Sequence, residues 1–166
     1  METKHFQIVA SIKDSDIQER LGKSHPSLNI VGPFRIKIDS IFLPDPQWED
    51  FVIIVISWWL NDLVTLLKET KVTCDFMDDN YKIDLVLNGN VLLLSAHFES
   101  SDEYDVKNVS VPLKMYVNEL FDIAAKIEKQ VLSVAPNAAL ICSDFQYFWE
   151  NKKKSEKAWR DYFTKG

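Results

Sequence analysis

Residues 48–68 are WEDFVIIVISWWLNDLVTLLK, a stretch with the length and composition of one long, largely apolar helix. Its polar side chains recur at three- and four-residue intervals and form a thin stripe: Asp50, Ser57, Asn61, Thr65 and Lys68. A helix with so narrow a polar stripe has to be covered on nearly every side. The stretch therefore predicts a buried helix at the centre of the fold, beginning at Asp45 or the pair Asp45-Pro46.

The size and composition of the chain predict one compact domain over residues 1–166. Hydrophobic residues make up 46% and aromatic residues 12% of the 166, which is enough for a substantial core. Only four glycines and six prolines are present, and no internal repeat or low-complexity segment suggests a linker.

Strand patterns flank the predicted central helix. Residues 5–12 and 34–42 alternate between apolar and polar side chains, as half-buried strands do. After the helix, residues 72–77, 81–87 and 91–98 predict three antiparallel strands, with Asn88-Gly89 as a hairpin turn between the second and third. A short sixth strand is expected at residues 108–111.

Two further helices are expected towards the carboxyl end. Pro112 suits the first position of an amphipathic helix over residues 113–132, and Ser143 or Asp144 can cap a helix that is aromatic at both ends. In that last helix we expect ion pairs of Glu150 with Lys154 and of Glu156 with Arg160 on a solvent-facing side. The predicted fold class is α+β, an antiparallel sheet of five to six strands packed on a buried central helix.

The sequence indicates neither a membrane protein nor a secreted one. The apolar run 51–60 is about half of the roughly 20 residues that cross a bilayer. The amino terminus lacks the basic and apolar regions of a signal peptide. Cys74 and Cys142 are too few for a disulfide framework and are expected as free, buried thiols. We expect a cytoplasmic protein.

No motif in the chain specifies catalysis, a metal or a cofactor. The three histidines have no metal-binding spacing, and His97 is expected to be a hydrogen-bonded strand residue rather than a base. A phosphate-binding glycine loop and a nucleophile elbow are both missing from the sequence. The lysine run 152–154 is interleaved with glutamates on a helix, which favours a solvated face over nucleic-acid binding. We expect no enzymatic activity, no cofactor and no nucleic-acid partner.

Charge is distributed unevenly along the chain. The net charge is −6, but residues 45–112 hold thirteen acidic residues against four basic ones. A regional negative field attracts cationic partners and accelerates their association in a salt-dependent way. The alternative for such a surface is simple solubilisation.

The acidic residues concentrate in two segments, DFMDDNY (75–81) and ESSDEYD (99–105), each containing one tyrosine. In an antiparallel meander both segments are expected at the same end of the sheet. Carboxylates around an aromatic side chain suit a cationic protein surface. The predicted partner-binding residues are Asp78, Asp79, Tyr81, Glu99, Asp102, Glu103, Tyr104 and Asp105.

The order of elements over residues 34–132 resembles that of small α+β immunity proteins of bacterial polymorphic-toxin and contact-dependent growth inhibition systems. The residues that carry the resemblance are Trp48, Glu49, Phe51, Trp58, Trp59, Phe76, Met77, Asp78 and Tyr81. The resemblance implies a non-enzymatic protein that binds a cognate toxin in the cytoplasm, often a basic nuclease, and blocks its active site. It does not account for the chain after Pro136.

The sequence thus leads to one expected function and two alternatives. The expected function is neutralisation of a cationic toxin domain through the acidic residues, by a monomer or weak homodimer. The first alternative is a non-enzymatic structural or adaptor domain that self-associates or docks on another protein through its aromatic carboxy-terminal helix. The second is a small enzyme whose site brings His97 together with distant carboxylates.

Overall fold

The computed structural model describes residues 4–164, so residues 1–3 and 165–166 of the predicted domain lie outside it. The predicted α+β class is confirmed, but the described strands form two antiparallel sheets rather than one. The strands are β1 (Phe6–Ala10), β2 (Val31–Ile38), β3 (Ile41–Leu43), β4 (Glu49–Phe51), β5 (Lys71–Asp75), β6 (Tyr81–Asn88), β7 (Val91–Phe98) and β8 (Val106–Pro112). The helices are α1 (Asp14–Leu21), α2 (Val52–Glu69), α3 (Leu113–Val134), α4 (Ala138–Ile141) and α5 (Ser143–Thr164).

The first sheet is built around β2, which pairs with β1 over residues 34–38, with β3 over residues 36–38 and with β4 over residues 31–33. Alternation places Phe34, Ile36 and Ile38 in the core, as the sequence predicts. The single strand predicted over 34–42 is instead a hairpin. The chain reverses at Asp39, whose φ of 54° lies in the left-handed region that aspartate tolerates in turns.

The central helix begins later than the sequence predicts. Residues 49–51 form β4 and pair with Val31–Pro33, and the Val52 amide then donates to the Ile30 carbonyl at 3.2 Å. Asp45 does not cap a helix; its Oδ1 accepts a hydrogen bond from the Gln47 amide at 2.7 Å, as in an Asx turn. Residues 49–51 thus pair with β2 instead of forming the first turn of a helix capped by Asp45.

Helix α5 covers the polar stripe of α2. The side-chain amide of buried Asn151 donates to the Ser57 carbonyl at 3.2 Å and to the Ser57 hydroxyl at 3.1 Å. Lys154 Nζ donates to Asn61 Oδ1 at 3.0 Å, so Lys154 contacts α2 rather than forming the expected pair with Glu150. Ser57 and Asn61 of the stripe therefore lie at a helix–helix contact, whereas Asp50 belongs to β4 and Lys68 is exposed.

The second sheet is the predicted meander in the order β5-β6-β7-β8. Asn88 pairs with Val91, so the two-residue turn comprises Gly89 and Asn90, one position later than the predicted pair. Gly89 has a φ of 61°, a conformation that glycine adopts at little cost. One end of this sheet holds the Gly89 turn, and the opposite end holds both acidic segments. Buried apolar side chains from both sheets, α2, α3 and α5 form one connected core.

Candidate protein-binding surface

The structure brings the two acidic segments together at one end of the second sheet. The β5–β6 loop carries Asp78 and Asp79, and the β7–β8 segment carries Glu99, Asp102, Glu103 and Asp105; we call these six residues the acidic edge. Tyr81 pairs with Phe98 across β6 and β7, and the Glu99 amide donates to the Asn80 carbonyl at 2.8 Å. The two loops are thus joined directly through their backbones.

A buried carboxylate that the sequence analysis placed in the helical stripe holds the first of these loops. Asp50 is 1% exposed, and its Oδ2 accepts hydrogen bonds from the amides of Met77 at 3.0 Å and Asp78 at 3.2 Å. Its Oδ1 accepts from the Phe51 amide at 2.7 Å. A carboxylate that accepts hydrogen bonds from several backbone N–H groups fixes the loop that donates them. Asp50 therefore holds the β5–β6 loop of the acidic edge in place.

All six carboxylates are solvent-exposed, and four of them have neither an ion pair nor a hydrogen bond from another side chain within the described part of the chain: Asp78, Asp79, Asp102 and Glu103. Glu99 differs, because its Oε1 lies 2.8 Å from Lys82 Nζ. The hydrogen bond to Glu99 is the largest cause of the raised pKa of Lys82. Charge neutralisation by the protein's own lysines therefore affects Glu99 but leaves most of the acidic edge unpaired.

Tyr81 is not available as a contact residue, which corrects the prediction from sequence. Its side chain is fully buried at 0% exposure, and its ring packs edge-on against Phe98 with centroids 4.8 Å apart. The hydroxyl donates to Asp105 Oδ2 at 2.7 Å, so Asp105 acts as an internal acceptor. Burial, followed by the hydrogen bond to Asp105, raises the pKa of the Tyr81 phenol. The alternation of β6 turns Tyr81 inward together with Ile83 and Leu85.

The exposed apolar residues of this end are Met77 and Tyr104, one in each loop. They are 45% and 40% exposed. Tyr104 was predicted, whereas Met77 was not proposed as a contact. The Tyr104 ring lies 4.7 Å from the His97 ring and 4.9 Å from Lys107 Nζ, so it is held between neighbours. Two exposed apolar side chains therefore lie among the carboxylates, and that of Tyr104 is held by its neighbours.

His97 is a hydrogen-bonded strand residue. Its Nε2 lies 3.2 Å from Asp84 Oδ2 and its Nδ1 lies 3.1 Å from the Phe98 carbonyl oxygen. Asp84 also accepts from the Thr73 hydroxyl at 2.7 Å. This network lies on the outward side of the sheet, and His97 lines neither of the two pockets described below. Among residues 4–164, His97 thus meets Asp84 on the outward side of the sheet rather than in either of these pockets.

A small pocket of about 150 Å³ lies beside the acidic edge, between α2, β5 and α5. It contains the carboxylates of Asp62 and Asp75 and the rings of Trp58 and Tyr147. Burial, and then repulsion from Asp75, raises the pKa of Asp62 to about 7. Asp75 also lies 3.9 Å from Lys82, which links the pocket to Glu99. Asp62 was not predicted as a site residue, because in the sequence it looks like any other polar residue on a helix face.

Other kinds of site find little support among residues 4–164. No group of three or more His, Cys, Asp or Glu side chains there is arranged to hold a metal ion. Both cysteines are buried and unbridged, and burial raises the pKa of each thiol. In the same part of the chain, no helix combines the length and apolarity needed to cross a membrane. Comparison with known protein families, curated proteins and solved structures finds no significant match to this chain.

Proposed function

We propose that this protein is an immunity protein that neutralises a cognate cationic toxin domain, such as a basic nuclease, in the cytoplasm. The observation that carries the proposal is the acidic edge, where four exposed carboxylates with no side-chain partner among residues 4–164 share one end of the sheet. A cationic substrate groove is the surface that such an edge complements.

The contacts expected of this surface follow from its chemistry. Asp78, Asp79, Asp102 and Glu103 pair with lysines and arginines that would otherwise hold substrate phosphates, which occludes the toxin's active site. Met77 and Tyr104 supply apolar contact area between these charges, a role for which both residue types are enriched in interfaces. Asp50 pre-orders the β5–β6 loop, so less conformational entropy is lost on binding.

The test needs the toxin. The gene for an immunity protein normally lies directly downstream of the gene for its toxin. We would purify the terminal domain encoded by the upstream reading frame and measure its association with this protein between low and high salt. The variant neutralises the four exposed acids: Asp78→Asn, Asp79→Asn, Asp102→Asn and Glu103→Gln. The matched control neutralises four acids elsewhere: Asp16→Asn, Glu69→Gln, Asp122→Asn and Glu150→Gln.

The expected result is an association rate at low salt that is about tenfold slower in the edge variant, with a flattened salt dependence. The control should associate nearly as fast as the wild type, since its charges lie away from the edge. Unchanged binding by the edge variant, or an equal loss in the control, would contradict the acidic edge as the interface. Failure of the upstream domain to bind the wild type would contradict the immunity function itself.

The adaptor alternative is favoured by the exposed aromatic residues of α5. Phe145 and Phe148 are buried against the core, so deletion of α5 would uncover α2 rather than remove a free docking helix. Tyr147 and Phe163, in contrast, are 50% and 55% exposed. Sedimentation of a Tyr147→Ser, Phe163→Ser variant tests this alternative. Self-association in the wild type that is lost in the variant would favour an adaptor.

A further inference from the structure

A groove of about 760 Å³ lies at the opposite end of the molecule from the acidic edge. It is bounded by the carboxy-terminal halves of α2 and α5 and by the β6–β7 turn at Asn90. The eight residues of β6 separate the two ends of the sheet by about 23 Å at the usual strand rise. The groove is therefore a separate feature from the proposed toxin-binding surface.

The apolar walls of the groove come from both helices. Val64 and Leu67 of α2 face Ala158, Tyr162 and Phe163 of α5. The aromatic wall is ordered, because the Tyr162 and Phe163 rings both pack against Trp159, with centroids at 6.1 and 4.5 Å. Phe163 nevertheless remains 55% exposed. An apolar ligand surface would find preformed contacts on both sides.

The charges around the groove are predominantly positive, in a chain whose net charge is −6. Lys68, Lys154 and Lys157 line it together with one acid, Asp161. Lys154 donates to the neutral amide oxygen of Asn61 and has no ion pair within the described residues. Lys157 and Asp161 are 3.9 Å apart and largely exposed, and Lys68 has no ion pair within residues 4–164. The groove thus has an excess of two positive charges beside an apolar floor.

We propose that this groove binds a small amphipathic organic anion, with its apolar body between Leu67 and Phe163 and its carboxylate or phosphate head at the lysines. The volume lies within the roughly 300–1,000 Å³ of small-molecule sites, which are mostly apolar with a few polar groups that fix orientation. Lysine ammonium groups on flexible stems suit an anionic head. The lining from Lys154 to Phe163 extends about 14 Å along α5, the length of one such ligand.

Titration with three probes that share one chain tests this assignment: sodium decanoate, decanol and decyltrimethylammonium. Binding would be followed by backbone amide shifts of Asn90 and α5 in NMR spectra. Decanoate should bind most tightly and shift the groove amides. Binding should weaken about tenfold in a Lys68→Gln, Lys157→Gln variant, which corresponds to the loss of one charge-assisted contact. It should also be lost in Ala158→Trp, whose indole fills the groove.

The matched control is Lys126→Gln, Lys129→Gln, which removes the same charge from the exposed side of α3. It should bind decanoate as the wild type does, and thermal melts would establish that each variant is folded. Equal binding of all three probes, or an equal loss in the control, would overturn the proposal. Tighter binding of an acidic peptide such as Glu-Glu-Phe-Glu-Glu than of decanoate would also overturn it, in favour of a protein ligand.

Discussion

Replacing Asp62 with asparagine should stabilise the protein more at pH 8 than at pH 5. Burial beside Asp75 raises the pKa of Asp62 from its ordinary value to about 7 in the folded state. In the unfolded chain an aspartate has a pKa of about 4. Between these two values the folded protein holds a proton that the unfolded chain has released, so the free energy of unfolding falls as the pH rises. The loss is complete above pH 7.

The size of the effect follows from the two pKa values. At about 1.4 kcal/mol per pKa unit, the difference corresponds to at most about 4 kcal/mol. Asp62 is only partly buried and lines an open pocket, so solvent screens its charge and we expect about 2 kcal/mol. Asparagine has nearly the same shape as aspartate and cannot ionise. The substitution therefore removes the free-energy cost of holding a charged carboxylate at this position in the folded protein.

Urea denaturation followed by tryptophan fluorescence at pH 5 and pH 8 gives the comparison. Asp122→Asn on the exposed side of α3 controls for the change in net charge. A second variant, Asp75→Asn, removes the repulsion and should lower the pKa of Asp62, so that the protein loses stability over a lower pH range. If Asp62→Asn and the wild type differ by the same amount at both pH values, Asp62 does not titrate as the structure implies.

Three further substitutions should lower the free energy of unfolding, which urea denaturation would measure. Asp50→Ala leaves two amides of the β5–β6 loop without their acceptor and should cost about 3 kcal/mol; a cost below 1 kcal/mol would mean that water replaces the carboxylate. Tyr81→Phe removes the hydrogen bond to Asp105 and should cost about 2 kcal/mol, with Tyr104→Phe as a nearly neutral control. Gly89→Ala meets no neighbouring atom, so only its positive φ should cost about 1 kcal/mol.

The parts of the fold that sequence predicted well depend on local signals. The β6–β7 hairpin follows from apolar alternation around Asn88-Gly89, and α3 follows from its helical periodicity. The boundary of α2 did not follow, because β4 forms only through pairing with Val31–Pro33, residues that are distant in sequence. A proline-rich capping signal and a three-residue strand compete there, and only tertiary contacts decide between them.

At the candidate surface, too, some features could be predicted from the sequence and others depend on tertiary contacts. The common location of the two acidic loops followed from strand connectivity, but the state of each side chain did not. The hydroxyl of buried Tyr81 meets Asp105 from the β7–β8 segment, and Glu99 meets Lys82 of β6. The role of Asp50 was hidden because its partners, the amides of residues 77 and 78, come from a loop beyond the whole of α2. Such pairings are absent from any local pattern.

The buried amide of Asn151 has a consequence for how α5 and α2 can fit together. Both of its hydrogen bonds reach Ser57, and a slide of α5 by one helical turn, about 5.4 Å, towards the start of α2 would bring the amide level with buried, apolar Ile53 and break both bonds. An apolar residue at position 151 would pack in several such alignments at similar energy. Asparagine instead favours the alignment in which it meets Ser57, so helix docking here depends on a polar contact in addition to the surrounding hydrophobic surface.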